Sequence, residues 1–395
     1  MERTSASAGR SFWILMALGA AVLAVALGAA HYMEEHGHVV TGMSNQVVWG
    51  LPHVFAIFLI VAASGALNVA SIGSVFGESA YKPHAALSVL LTVALLAGGL
   101  MVLVLDLGRP ERLVVAATHY NFRSIFAWNM ILYNGLFVLC ALYLWALLER
   151  RFQAYAKPVG LAAFAWRIIL TTGTGSIFGF LVARQAYASG VIAPLFIALS
   201  LAWGLAVFHL AQCGLARLAG TPMAADLQVR VRRLLGIFVV AALYFVAVHH
   251  MTNLYWAKQA AFEWFILVSG APYPAVFWVG FVGLGSLVPL ALLFHPRLAG
   301  PRATAAASGM VALGALAFLY VFIVGGQAFP LEIFPGYEVT SAFHDGQVDA
   351  YVPSLPELLL GLGGLAASFL IALAGARALP ILPPAEALPA AAPSP

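Results

Sequence analysis

LSVLLTVALLAGGLMVLVL, residues 87–105, decides the fold. These 19 residues carry no charge, and a helix of that length rises about 28 Å, the hydrocarbon thickness of a bilayer. A transmembrane β-strand would alternate polar and apolar residues over about ten positions, whereas this stretch is apolar all round. Working outward, the same template predicts ten spans, near 11–31, 48–76, 84–106, 123–148, 160–184, 191–215, 229–252, 273–296, 303–326 and 354–377. The fold class is all-α: a polytopic transmembrane helical bundle over residues 1–378, followed by an Ala/Pro-rich segment, 379–395, that reads as a disordered cytoplasmic tail. The first span follows Arg3 and Arg10 and ends in GAAH (28–31), as a signal peptide would, but its length favours an uncleaved helix.

Composition agrees. Of the 395 residues 63% are hydrophobic and 9% charged, with mean hydropathy +0.95. Soluble domains carry roughly a quarter charged residues, so a soluble enzyme, a disordered chain and a nucleic-acid-binding domain are excluded. The net charge of +4 is therefore read by sidedness. With the N-terminus inside, 13 of the 19 Lys and Arg fall in inside loops, five fall outside and Arg167 lies within a span. That bias places both termini in the cytoplasm. The loop 327–353, with Glu332, Glu338, Asp345 and Asp349 and no Lys or Arg, fits an outside location. Cys140 and Cys213 sit inside apolar runs without a CxxC, so the chain has no ligand set for an iron–sulfur cluster.

One outside loop breaks the charge bias. LDLGRPERLVVAATHYNFRSIFAWN (105–129) holds Asp106, Arg109, Glu111, Arg112 and Arg123. A self-neutralised turn ended by Gly108 and Pro110 would account for it alone. Its neighbours in depth argue for more: His53 opens the second span, Arg123, Asn129 and Tyr133 the fourth, and His249, His250 and Asn253 close the seventh. Ionisable groups at membrane depth are functional candidates, against the alternative of satisfied interhelical contacts. Spans two to five and six to nine also repeat an order of features, IFAWNMILYNGLF (125–137) against VFWVGFVGLGSLV (276–288). We therefore expect two four-helix bundles, 48–184 and 191–326, with spans one and ten flanking them.

WGLPHVFAIFLIVAASGALNVASIGSVFG (49–77), DLGRPERL (106–113) and YNFRSIFAWNMILYNGLF (120–137) together resemble the NrfD family, typified by the membrane subunit of polysulfide reductase. The ten-span length and HYMEEHGHVVTGMSNQVVWGLPHVF (31–55) are most similar to its branch containing DsrP of a sulfur-metabolism complex and the hydrogenase-2 anchor. The resemblance implies a subunit, not an enzyme alone, in the cytoplasmic membrane of a bacterium or archaeon. It would exchange electrons between the quinone pool, menaquinone or ubiquinone, and a periplasmic ferredoxin-like iron–sulfur subunit, beside other membrane and cytochrome subunits. No haem or iron–sulfur cluster of its own is implied, and the headgroup site would lie near the outside face, the face the charge count gives to His53 and Asp106.

A quinone headgroup needs hydrogen-bond donors and a titratable relay. We assign His53 as proton donor and Asp106 as the carboxylate that orients it, with Arg109 and Arg123 holding Asp106 ionised. Asn129, Tyr133 and His249 offer hydrogen bonds. The polar face of the fifth span, Arg167 with Thr171, Thr172, Thr174 and Ser176, ending at Arg184, suggests a proton route, against the alternative of snorkelling arginines. A b-type cytochrome would use His53, His84, His209 and His249 as axial ligands, but no span carries two His about 13 residues apart. A secondary transporter would use broken helices such as TGTGSIFG (172–179) at the midplane. Glu34, Glu35, His36 and His38 read as a solvated segment, part of a partner dock with the 327–353 loop rather than a metal site.

Overall fold

A computed structural model describes residues 9–220, 223–331 and 346–381. It contains ten helices long and apolar enough to cross a membrane. They are α1 (Arg10–His36), α2 (Leu51–Ser74), α3 (Ser79–Leu105), α4 (Ile125–Leu148), α5 (Arg150–Gly179), α6 (Ile192–Ala219), α7 (Ala225–Tyr255), α8 (Tyr273–Phe294), α9 (Pro301–Ala328) and α10 (Leu355–Ala378). The chain is a multi-pass integral membrane protein. Helix ends extend beyond the predicted spans where polar residues continue the backbone hydrogen bonding into the headgroup zone, as at both ends of α7. Other ends stop one to three residues short of the predicted bounds, as at both ends of α2, and the largest shortfall is in α5, which stops at Gly179 and leaves Arg184 in the loop beyond it. Arg3, Glu332, Glu338, Asp345 and residues 382–395 of the expected tail lie outside the described residues; Ile381, at the start of that tail, is buried.

α2 is the hub, packed by α3, α5, α6, α9 and α10, while α1 packs chiefly on α10. Within α2–α5 the first helix meets the second and fourth, and the third meets the second and fourth; the same pairings recur in α6–α9. The two groups join where α2 crosses α6. A Cβ on Gly65 would stand 1.6 Å from the Ser200 carbonyl oxygen, and one on Gly204 would stand 2.2 Å from the Ala66 nitrogen. Small residues let two backbones touch where lipid gives no hydrophobic drive for association. Gly65→Leu is expected to remove most folded protein from detergent extracts, read by size-exclusion chromatography against a Gly309→Leu control, whose site is open.

The start of α2 is held by a buried polar frame. Gln327, at the end of α9, donates through Nε2 to the Trp49 carbonyl at 2.9 Å, and its Oε1 accepts from the Val48 and Trp49 amides at 3.1 and 3.0 Å. The Leu51 amide donates to the Tyr351 hydroxyl at 2.7 Å, which donates to Glu357 Oε1 at 2.6 Å. Glu357, buried in the capping box of α10, also accepts from the Gly42 amide at 2.8 Å. Backbone amides at a helix start need partners when buried, and this frame supplies them.

Candidate functional site

α3 ends at Leu105, and Asp106 is its C-cap. A carboxylate there faces the negative end of the helix dipole, and its side chain is only 1% exposed, so two costs coincide. Two imidazoles offset them. His53, in the first turn of α2, brings Nδ1 to 2.8 Å from Asp106 Oδ2, and His38, in the α1–α2 loop, brings Nε2 to 3.8 Å from Oδ1. The first lacks the alignment of a hydrogen bond, and the second is too long for one. Gly108 makes the approach of His38 feasible: its φ of +68° suits glycine, and a Cβ there would stand 2.8 Å from His38 Cε1.

Burial pushes the Asp106 carboxyl up, but His38 and His53 together outweigh it and hold it below its ordinary value. The Asp106 carboxylate raises His38 above its ordinary 6.5, burial opposes this, and Glu357 adds to the rise. The stability this contact contributes is therefore fully present below pH 6.5, above the carboxylate range, and fades as pH rises through the raised His38 value. The unfolding temperature lost in His38→Ala should accordingly be larger near pH 6 than near pH 9.

His53 also lines a cavity of about 380 Å³, in the size range of small-molecule sites. Its walls are apolar: Ile57 of α2, Leu100, Leu103 and Val104 of α3, Phe126 and Met130 of α4, and Ile177 and Phe178 near the end of α5. Leu107, Phe126 and Asn134 at its rim are exposed, so the mouth opens on the surface between α3 and α4. The polar groups gather on His53, Asn129 and Tyr133. Trp49 stacks on His53 with ring centroids 5.9 Å apart, and Phe178 meets Trp49 edge-on at 5.6 Å. Buried Asn129 donates to the Ile125 carbonyl at 2.9 Å and accepts from Thr174 Oγ1 at 3.4 Å.

The structure thus brings His53, Asp106, Asn129 and Tyr133 together. The other sequence candidates fall elsewhere. Arg109 and Arg123 are exposed, and neither comes within ion-pair range of Asp106. His249 lies outside the cavity wall, its ring 6.2 Å from Phe322, which in turn meets Phe178 at 5.1 Å. Its neighbours are polar partners of another kind: Asn253, and His250 with Nδ1 2.6 Å from buried Glu263. Arg167 is buried in α5, donating to Asn68 Oδ1 at 3.0 Å beneath Thr171 and Thr174. Arg184 donates to the carbonyls of Gln327 and Gln46 at 3.0 and 2.6 Å, tying the loop after α5 to the frame around α2.

His38, Trp49, Gln327, Tyr351 and Glu357 are the site residues sequence reasoning did not assign. The signal for His38 was the glycine of DLG, which leaves room for a partner beside Asp106. No group of three His, Cys, Asp or Glu that could hold a metal ion occurs among the described residues. His209, a candidate haem ligand, has both ring nitrogens engaged, by Ser308 Oγ at 3.0 Å and Cys213 Sγ at 3.6 Å.

Known proteins resemble the chain over most of its length. The chain is 28% identical over 383 residues, 94% of each chain, to the "Hdr-like menaquinol oxidoreductase integral membrane subunit" of Archaeoglobus fulgidus. It is 28% identical over 411 residues, covering 94% of this chain and 92% of the other, to a putative dimethyl sulfoxide reductase membrane subunit of Halobacterium salinarum. It is 25% identical over 312 residues, 72% of this chain and 96% of the other, to "Protein NrfD" of Escherichia coli. The family described as "Polysulphide reductase, NrfD" matches residues 39–331, which takes in α2 through α9 and every residue around the cavity, and the chain belongs to that family.

Proposed function

We propose that this chain is the quinone-reactive membrane subunit of a multisubunit oxidoreductase, exchanging electrons between the quinone pool and an iron–sulfur protein docked on the Asp106 face. The observation that carries the reading is the cavity: apolar walls, a mouth between two membrane helices, and His53 backed by Asp106 at its polar end. The names of the archaeal relatives, a menaquinol oxidoreductase subunit and a dimethyl sulfoxide reductase subunit, support it. The positive-inside bias supports a cytoplasmic membrane with the termini inside, which makes the Asp106 face extracytoplasmic. Sulfur-compound metabolism is the setting that the family's description favours.

Quinone reduction takes two electrons and two protons, and quinol oxidation releases them. We assign the electrons to the partner. The chain's part is the protons and the fit. His53 presents Nε2 to the headgroup while Nδ1 faces Asp106, whose negative charge stabilises the imidazolium that forms when a proton arrives. Tyr133 and Asn129 offer hydrogen bonds to the ring oxygens, and Trp49 holds the imidazole flat. The partner's footprint would include the exposed 107–124 segment, with Arg109, Glu111, Arg112 and Arg123, and the α1–α2 loop. Inward from the cavity lie Thr174, bonded to Asn129, then, three residues earlier in α5, Thr171, bonded to Ser64 and the Arg167 carbonyl, and then the Arg167 side chain on Asn68. This series is the proton route we favour; Arg184, bound to carbonyls, serves as a tie instead.

Extraction of the purified complex followed by chromatography tests the reading, together with a reduced-minus-oxidised spectrum of this subunit alone. The expected result is bound menaquinone or ubiquinone and no haem band. Haem bands from the isolated chain would instead make it a b-type cytochrome and His53, His84, His209 and His249 its candidate ligands.

A further inference from the structure

We propose that His38 carries protons between the buried His53–Asp106 pair and the water on the Asp106 face, an inference that rests on reading the cavity as a quinone site. Asp106 has two carboxylate oxygens and two imidazoles, one on each: Oδ2 meets His53, which lines the cavity, and Oδ1 meets His38. Its own side chain is 1% exposed and exchanges no proton directly with solvent, whereas the His38 side chain is 34% exposed. The three groups thus run from ligand space through a dry carboxylate to water.

The gap of 3.8 Å between His38 Nε2 and Oδ1 exceeds a hydrogen bond. A ring rotation or one bridging water closes it. The space for that movement comes from Gly108, where any Cβ would meet the imidazole. Besides Asp106, the charged group acting on His38 is Glu357 at the start of α10, and both favour the protonated ring. Both therefore raise the affinity of this position for a proton, close to a group that must shed two per quinol.

In quinol oxidation the headgroup hydroxyl loses its proton to His53 Nε2, His53 Nδ1 passes one to Asp106, and Asp106 hands it to His38 Nε2, which releases one from Nδ1 to water. Two such passages accompany the two electrons that leave to the iron–sulfur partner, and quinone reduction runs each transfer backwards. His38 is a relay residue that acts through Asp106, without touching the substrate.

The test uses the intact complex carrying His38→Ala or His38→Gln. Bound quinone and quinol-linked turnover are measured between about pH 5.5 and 9, with and without imidazole in the medium. We expect parent-level quinone in both variants, turnover reduced roughly a hundredfold in both, loss of the pH limb set by His38, and partial restoration by imidazole. Parent turnover in His38→Gln would overturn the inference, because glutamine keeps a donor to Asp106 but carries no proton; loss of bound quinone in the variants would do so as well. Absence of quinone from the parent complex would fell the quinone reading itself, and so separates the two failures.

Discussion

Asp106→Asn lowers quinone-linked turnover of the assembled complex by roughly a hundredfold or more, the range of a general acid–base group and its orienting partner, while the complex still assembles. The substitution keeps the shape and removes the charge. At the end of α3 that charge opposes the helix dipole and sits in a dry pocket, so an amide gives up the two imidazole contacts but also sheds those costs, and the fold survives the exchange. What is lost is the counter-charge that lets His53 accept a proton facing the cavity. The variant should therefore retain bound quinone and fail in turnover. The same split is expected of His53→Ala, whereas a parent-like rate in either would remove the pair from the chemistry.

Leu103→Trp closes the cavity and lowers bound quinone by roughly tenfold or more, a difference of about 1.4 kcal/mol in binding. Leu103 stands on the α3 wall facing Phe126 and Met130 across a space of about 380 Å³, so an indole fits without pushing helices apart. Leu313→Trp, at a position 68% exposed on α9, is the matched control and leaves quinone content unchanged. Together the two variants separate occupancy of this cavity from general effects of an added ring.

Much of this architecture was legible in residue order. Ten spans follow from apolar length because the bilayer imposes it, and His53 and Asp106 were placed at one depth by the helices that carry them. Depth is where the reading stops, since hydropathy fixes how far a residue lies along a helix and not which way it faces. His249 shares the depth of His53 but lies behind Phe178 and Phe322. Arg109 and Arg123 looked like partners of Asp106 because they are close in sequence. Asp106 faces His53 of α2, whereas the Arg109 and Arg123 side chains are exposed on the loop beyond Gly108. His38 reads as a solvated loop residue until that turn is built. Gln327, Tyr351 and Glu357 carry no local signal at all: their role is to satisfy backbone groups at the start of α2, which only the packed bundle brings within reach.

The most direct test of the central claim is photolabelling of the intact complex with an azido-quinone, followed by peptide mapping. The account predicts label on α3 and α4 at residues 100–107 and 126–134, competed by unmodified quinone and abolished by Leu103→Trp. Competable label confined to α7–α9, or label that survives Leu103→Trp, would contradict it.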